Sequence, residues 1–237
     1  GNPCAPPFLF RTFVTPNRPE PTPELMLPPL HIPDTVRFRA TQLADALRTD
    51  WRGILSDEEM DRRRAMNNEE RRKSFTAGRV VLRSLLADEL GLAPSHVPLI
   101  VQESGRLACE DHDLHLSLAH SGQLAIAAIS HHNIGCDLEV IRHKPSSLLD
   151  YILADEEREH VHGLPLDTDQ SLFLCWTVKE AVLKATGTGL RRSPRSVRAR
   201  FDLNRSLAHV QDSVNAEWEV HFALSSQYAA ALAVQPG

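Results

Sequence analysis

Two carboxylates stand two residues apart in a short apolar run, Ile134-Gly-Cys-Asp-Leu-Glu139. In an extended strand, side chains i and i+2 share a face. Asp137 and Glu139 therefore project together, and Ile134, Cys136 and Leu138 face the opposite, buried way. Adjacent carboxylates repel, and neither is easily buried alone. A hard divalent cation removes that conflict, and oxygen ligands favour Mg²⁺ over zinc; a solvated acidic strand edge would carry the same residues. Further on, Trp176-Thr-Val-Lys-Glu-Ala-Val-Leu-Lys184 places Glu180 and Lys184 four apart on one helix face, with Val178, Val182 and Ala185 on another. That pair is either a helix-surface ion pair or a third metal oxygen with a phosphate-binding lysine. Set beside the acidic strand, it would put three carboxylates and an ammonium around one point. Such a site suits Mg²⁺ and a pyrophosphate, with the lysine stabilising the departing charge.

The elements that must position these groups follow from pattern. Residues 1–33 are proline-rich and predict an extended arm, part of it docked through Phe8, Leu9, Phe10 and Phe13. Thr35 to Arg39 alternates as a strand, and 45–54 reads as a short helix or turn. Ser56-Asp-Glu-Glu59 is a capping box opening a helix. Phe75 to Leu90 has apolar residues at three- and four-residue spacing, with Gly91 as its stop. Strands are expected near 97–101, 114–118 and 124–129, a charged helix over 148–162, and a helix over 171–186 stopped by Gly187-Thr-Gly189. Arg191 to Arg200 reads as a basic loop entering a strand, and 217–224 with 228–234 as a final strand pair.

These elements recur. Phe75 to Arg83 overlays Trp176 to Lys184 at an offset of 101 (176 − 75), and 116–127 overlays 220–231 at 104 (224 − 120). The fold expected is α+β, built from two pseudo-symmetric halves, each a small, mainly antiparallel sheet packed on a long helix. The halves are assigned to 34–131 and 132–237, with the ligand cleft between them.

The motif set resembles the larger, surfactin-synthetase-activating type of 4′-phosphopantetheinyl transferase. The matching pieces are Phe75-x-x-Gly-Arg-x-x-Leu-Arg83, Gly105-Arg106, Leu118-Ala-His-Ser121, the acidic strand and the Trp176–Lys184 helix. The resemblance implies transfer of the phosphopantetheine arm of coenzyme A to a serine of an apo acyl or peptidyl carrier protein, releasing 3′,5′-ADP. It implies Asp137, Glu139 and Glu180 as Mg²⁺ ligands, with Asp137, Glu180 and Lys184 as the catalytic set. Glu180 would accept the serine proton and Lys184 would contact the pyrophosphate. His120, Arg106 and the patch including Arg63, Arg64 and Arg72 would hold coenzyme A, and Arg62 belongs to the same patch. Ala119 stands where the family usually has serine, and Cys136 where an aliphatic residue is common.

The bulk numbers narrow the alternatives. A net charge of −5, from 26 basic and 31 acidic residues, makes no whole-molecule case for nucleic acid or an anionic membrane. The four cysteines form no C-x-x-C pair, which fits a reducing cytoplasm rather than a zinc or disulfide framework. No apolar run approaches the ~20 residues a membrane helix needs, and no basic-then-apolar leader opens the chain. The expectation is a cytoplasmic monomer. His112, His115 and His120 are too loosely spaced for a transition-metal hydrolase. A metal-dependent nucleotide pyrophosphate hydrolase and a non-catalytic coenzyme A or carrier-binding module stay open beside the transferase.

Overall fold

A computed structural model describes residue 27 and residues 29–187 and 192–236. Most of the proline-rich arm, together with Thr188, Gly189 and Arg191, lies outside the described residues. The chain runs through β1 (Arg37–Gln42), α1 (Leu43–Arg48), α2 (Trp51–Ile54), α3 (Asp57–Arg64) and α4 (Glu69–Leu90). A 3-10 turn at Pro94–His96 leads into β2 (Leu99–Val101), β3 (Leu107–Cys109), β4 (His115–Ser121) and β5 (Leu124–Ser130). The order then repeats: β6 (Ile134–Val140), α5 (Ser147–Ile152), α6 (Arg158–His162), α7 (Thr168–Ala185) and a 3-10 turn at Pro194–Ser196. It closes with β7 (Arg198–Asp202), β8 (Leu207–Gln211), β9 (Glu217–Leu224) and β10 (Tyr228–Val234).

The fold is α+β with antiparallel pairing throughout the described sheets. In each run the first strand pairs with the last, β1 with β5 and β6 with β10. The second sheet is continuous, in the order β6-β10-β9-β8-β7. The first is divided into β1-β5-β4 and a separate β2-β3 hairpin. Each long helix covers one sheet. Val81 and Leu85 of α4 pack with Ala125, Ala127 and Ile129 of β5. Val178, Ala181 and Ala185 of α7 pack with Ala229, Ala231 and Ala233 of β10. A third apolar cluster joins the sheets to each other, Ala119, Ile126 and Ala128 meeting Ile134, Cys136, Leu138 and Leu232.

Local chemistry accounts for the helix limits. Ser56 and Glu59 form the expected capping box. Asn68 caps α4, so that helix begins at Glu69 rather than Phe75; its first turns are charged and carry no apolar rhythm. Gly91 ends it at φ +66°, a left-handed conformation that suits glycine. Asp167 and Gln170 box the start of α7. The single helix expected over 148–162 is two short ones, because Leu153 and Ala154 run extended between them. There the Glu157 carboxylate accepts from the Ala154 amide.

Each half secures its 3-10 turn with a buried cation. In the first, Arg83 donates to the carbonyls of Pro94 at 2.9 Å and Val97 at 3.1 Å, and pairs with Glu59. In the second, Lys179 donates to Pro194 at 3.1 Å and Val197 at 2.6 Å, and pairs with Glu157 at 2.6 Å.

Gly135 sets the distance between α7 and β6. A Cβ there would lie 1.9 Å from the Ala181 carbonyl oxygen and 2.6 Å from the Ala185 amide nitrogen, both backbone atoms. Gly135→Ala is therefore expected to push the helix off the strand and to destabilise by about 1–3 kcal/mol, the usual cost of overpacking. A shift in urea midpoint at unchanged slope would record it; an unaltered midpoint would mean the backbone relaxes freely around the added methyl.

Candidate active site

The acidic strand takes the expected faces. Ile134, Cys136 and Leu138 enter the core shared by the sheets. Asp137 lies on the other face beneath α7 and is 6% exposed, while Glu139 is half-buried. Above them Glu180 is 7% exposed. Lys184 does not form the i,i+4 pair with Glu180 that helix spacing alone suggests. Its ammonium donates to Asp137 Oδ1 at 2.7 Å, to the Cys136 carbonyl at 3.1 Å and to the Leu118 carbonyl at 3.5 Å. The close approach allowed by Gly135 brings that nitrogen across the strand.

This arrangement leaves charge uncompensated. Burial, reinforced by the nearby Asp137 charge, raises Glu180 to about 6 against the pull of Lys184. Burial and Asp137 also push Glu139 upward. Burial opposes the charge on Lys184, but Asp137 and the hydrogen bond to it outweigh that and hold the amine above its ordinary value. Burial pulls Asp137 upward while Lys184 pulls it down; a 2.7 Å approach of ammonium to carboxylate describes the ionised pair. Asp137 Oδ2 and Glu180 Oε1 are buried and have no hydrogen-bond partner. Among the described residues, no group of three or more His, Cys, Asp or Glu side chains is close enough to hold a metal ion. The ammonium of Lys184 meets part of the need for positive charge. The two unpartnered carboxylate oxygens are nonetheless hard donors of the kind that fits Mg²⁺. The Cys136 thiol is fully buried and pushed up to about 11, so it is neutral and serves packing.

Strand β4 runs alongside β6 in the same direction, as the hydrogen bonds from 117 to 136 and from 121 to 140 show, and no backbone ladder joins them. Serine hydroxyls bridge the seam instead. Ser117 Oγ accepts from the Cys136 amide at 2.8 Å. Ser121 Oγ accepts from the Val140 amide at 3.1 Å and donates to Glu139 Oε2 at 3.1 Å. Ala119 faces the shared apolar core, so a hydroxyl at that position would point into it. His120 is exposed at the strand end. Desolvation of its ring, together with the charges of Lys184 and Arg79, lowers its pKa, leaving a neutral imidazole at pH 7.

Of the residues expected to hold coenzyme A, Arg106 comes to the site. It crosses from the turn before β3 to donate to the Lys184 carbonyl at 3.5 Å. The other arginines divide. Arg63 donates to Thr76 Oγ1 at 2.8 Å and lies over the Trp51 ring at 4.4 Å. Arg72 pairs with Glu69 at 2.7 Å, and its buried Nε has no partner. Arg64 is exposed and pairs with Asp61, away from any cluster. Arg79, a fixed position of the Phe75–Arg83 motif with no site role expected of it, joins the site. It is buried, pairs with Glu59 at 2.9 Å, lies over Phe75 at 4.8 Å and acts on His120 through its charge. Spacing does not mark Ser121 as a partner of the acidic strand. For Gly135, a small residue just before the carboxylate pair is the one signal that the chain carries.

Fold and site together define a class: an α+β protein of two like halves, with an acidic strand meeting a Glu/Lys-bearing helix where the halves join. Residues 133–233 match the model of the 4′-phosphopantetheinyl transferase superfamily. The chain is 36% identical over 153 residues to the 4′-phosphopantetheinyl transferase HetI of a Nostoc species, covering 60% of this chain and 64% of that protein. It is 31% identical over 147 residues to a putative 4′-phosphopantetheinyl transferase of a Synechocystis species, covering 59% and 60%. It is 29% identical over 141 residues to the 4′-phosphopantetheinyl transferase Sfp of Bacillus subtilis, covering 58% and 62%. The matches thus span a little under two-thirds of each relative's length.

Proposed function

We propose that this protein transfers the 4′-phosphopantetheine arm of coenzyme A to a serine hydroxyl of an apo acyl or peptidyl carrier protein in a Mg²⁺-dependent reaction, releasing 3′,5′-ADP. The observation that carries the reading is the buried meeting of Asp137, Glu180 and Lys184, with two carboxylate oxygens unpartnered. Asp137, Glu139 and Glu180 would hold the metal, which supplies positive charge to the pyrophosphate oxygens when bound. The serine oxygen bonds to the phosphorus bearing the pantetheine arm, the bond from that phosphorus to the bridging oxygen breaks, and the electron pair leaves with 3′,5′-ADP. Glu180 accepts the serine proton, directly or through water. Without metal its carboxyl stands at about 6; bound Mg²⁺ would favour the carboxylate and leave it ionised, able to accept a proton, at neutral pH.

Lys184 has three N–H donors, all engaged at present. The hydrogen bond to the Leu118 carbonyl, at 3.5 Å, is the longest and would yield to a phosphate oxygen at least cost. His120 presents a neutral ring with one N–H donor, and a phosphate beside it would favour the protonated form. The division into halves at 34–131 and 132–237 belongs to this reading, supported by the repeated element order.

Incubating a panel of apo carriers with coenzyme A and Mg²⁺, followed by mass spectrometry, tests the proposal. Carrier-bound phosphopantetheine is expected. Free phosphopantetheine with unmodified carriers would mean a hydrolase, and no turnover would mean a binding module. The arginines of α3 and α4 make a second test. Coenzyme A should bind more tightly than 3′-dephospho-coenzyme A by about 1.5–3 kcal/mol, or roughly 10- to 150-fold, the worth of one charge-assisted hydrogen bond to the 3′-phosphate. Equal affinities in calorimetry would remove Arg63 and Arg72 from the site.

A further inference from the structure

The seam between β4 and β6 carries a hydrogen bond with a single direction. A serine hydroxyl has one proton. Ser121 Oγ already accepts the Val140 N–H, and its proton is spent on Glu139 Oε2, each at 3.1 Å. The hydroxyl is therefore held at both ends, by the backbone of one strand and the carboxylate that strand bears. The turn after β4 keeps it there. Gly122 sits at φ +57°, and a Cβ on it would come 2.6 Å from Val140 Cγ2 and 2.9 Å from the Tyr228 hydroxyl. Only a residue without a side chain lets the turn lie that close to the end of β6. We infer that Ser121, supplied by the first half, is a positioning residue for Glu139 of the second, fixing the carboxylate's orientation toward the metal. This rests on the proposed function, in which Glu139 is a metal ligand.

Ser117 provides the internal control. It bridges the same two strands through the Cys136 amide at 2.8 Å but touches no carboxylate. If the seam as a whole matters, losing either hydroxyl should have the same effect. If Ser121 acts through Glu139, only its loss should reach the metal.

The test is Mn²⁺ binding to the full chain in the presence of coenzyme A, read by electron paramagnetic resonance of free and bound ion. Ser121→Ala is expected to weaken Mn²⁺ binding by about 10-fold or more, the usual cost of removing a group that orients a metal ligand. Ser121→Thr retains the hydroxyl and should bind as the parent does. Ser117→Ala should leave Mn²⁺ affinity unchanged. Parent-like affinity in Ser121→Ala, or equal weakening in Ser117→Ala, overturns the inference while leaving the transferase reading intact. A parent protein that binds no Mn²⁺ while still modifying carriers overturns the metal assignment and this inference with it.

Discussion

Glu180→Gln is expected to slow transfer by on the order of 10²–10⁴-fold, the range for a general base, and to make the metal-free protein more stable. Both effects have one source. Burial and Asp137 raise the Glu180 carboxyl from 4.5 to about 6. The folded protein thus holds this proton more tightly than the unfolded chain does. Stability falls as pH rises from 4.5 through 6 and stays lower above that. That difference between folded and unfolded chain corresponds to about 2 kcal/mol. Glutamine never ionises, so the variant should gain that amount at about pH 7.5 and differ little at about pH 4. Urea unfolding with chelator at the two pH values measures it. In the parent, kcat/KM should rise with pH as the base ionises, with a midpoint below the metal-free value of about 6 because bound Mg²⁺ would favour the carboxylate, and this limb should be absent from the variant's residual rate. Matching pH dependences of stability in the two proteins would show that Glu180 is not ionised at a cost, and its role as base would lose its physical ground.

Asp137→Ala should lower turnover by on the order of 10²-fold or more, because it removes both a proposed metal oxygen and the partner that orders Lys184. It should also destabilise the fold. Removing one member of a buried pair strands the other charge, which costs about 3–5 kcal/mol in a fully enclosed site. The Lys184 side chain is 31% exposed and keeps two carbonyl acceptors, so about 2 kcal/mol is the fitting figure. Asp137→Asn separates the two losses. Its amide oxygen still accepts from Lys184, so it should be nearly as inactive as the alanine variant and distinctly more stable. An asparagine variant with near-parent turnover would remove Asp137 from the proposed metal site.

Much of this site is legible in the sequence because its residues lie in short, regular elements. Period-two alternation places Asp137 and Glu139 on one face, and helical spacing puts Glu180 and Lys184 together. What stays hidden depends on elements meeting in space. The partner of Lys184 is Asp137, 47 positions away, and nothing in a helix pattern reports that. Ser117 and Ser121 read as ordinary strand residues until β6 is laid beside them. Arg62, Arg63, Arg64 and Arg72 look like one patch along the chain, yet Arg64 pairs outward with Asp61 and Arg63 turns onto Trp51. Helix periodicity extends across Leu153 and Ala154, where the chain breaks to let Glu157 cap it.

The two buried cations that secure the 3-10 turns have a further meaning when the repeat is laid over them. At the offset of 101, Arg79 falls on Glu180 and Arg83 on Lys184 (79 + 101 and 83 + 101). In the first half, Arg83 is committed to the carbonyls of Pro94 and Val97. In the second, that duty has moved back along the helix to Lys179. The change of post holder releases position 184 from scaffolding and lets its ammonium swing to the acidic strand. The first half has made no such exchange, and Arg79 is tied to Glu59 where its twin has a carboxylate. On the proposed reading, a repeated framework thereby divides its labour: one half keeps its charges for architecture, and the other has one to spare for chemistry.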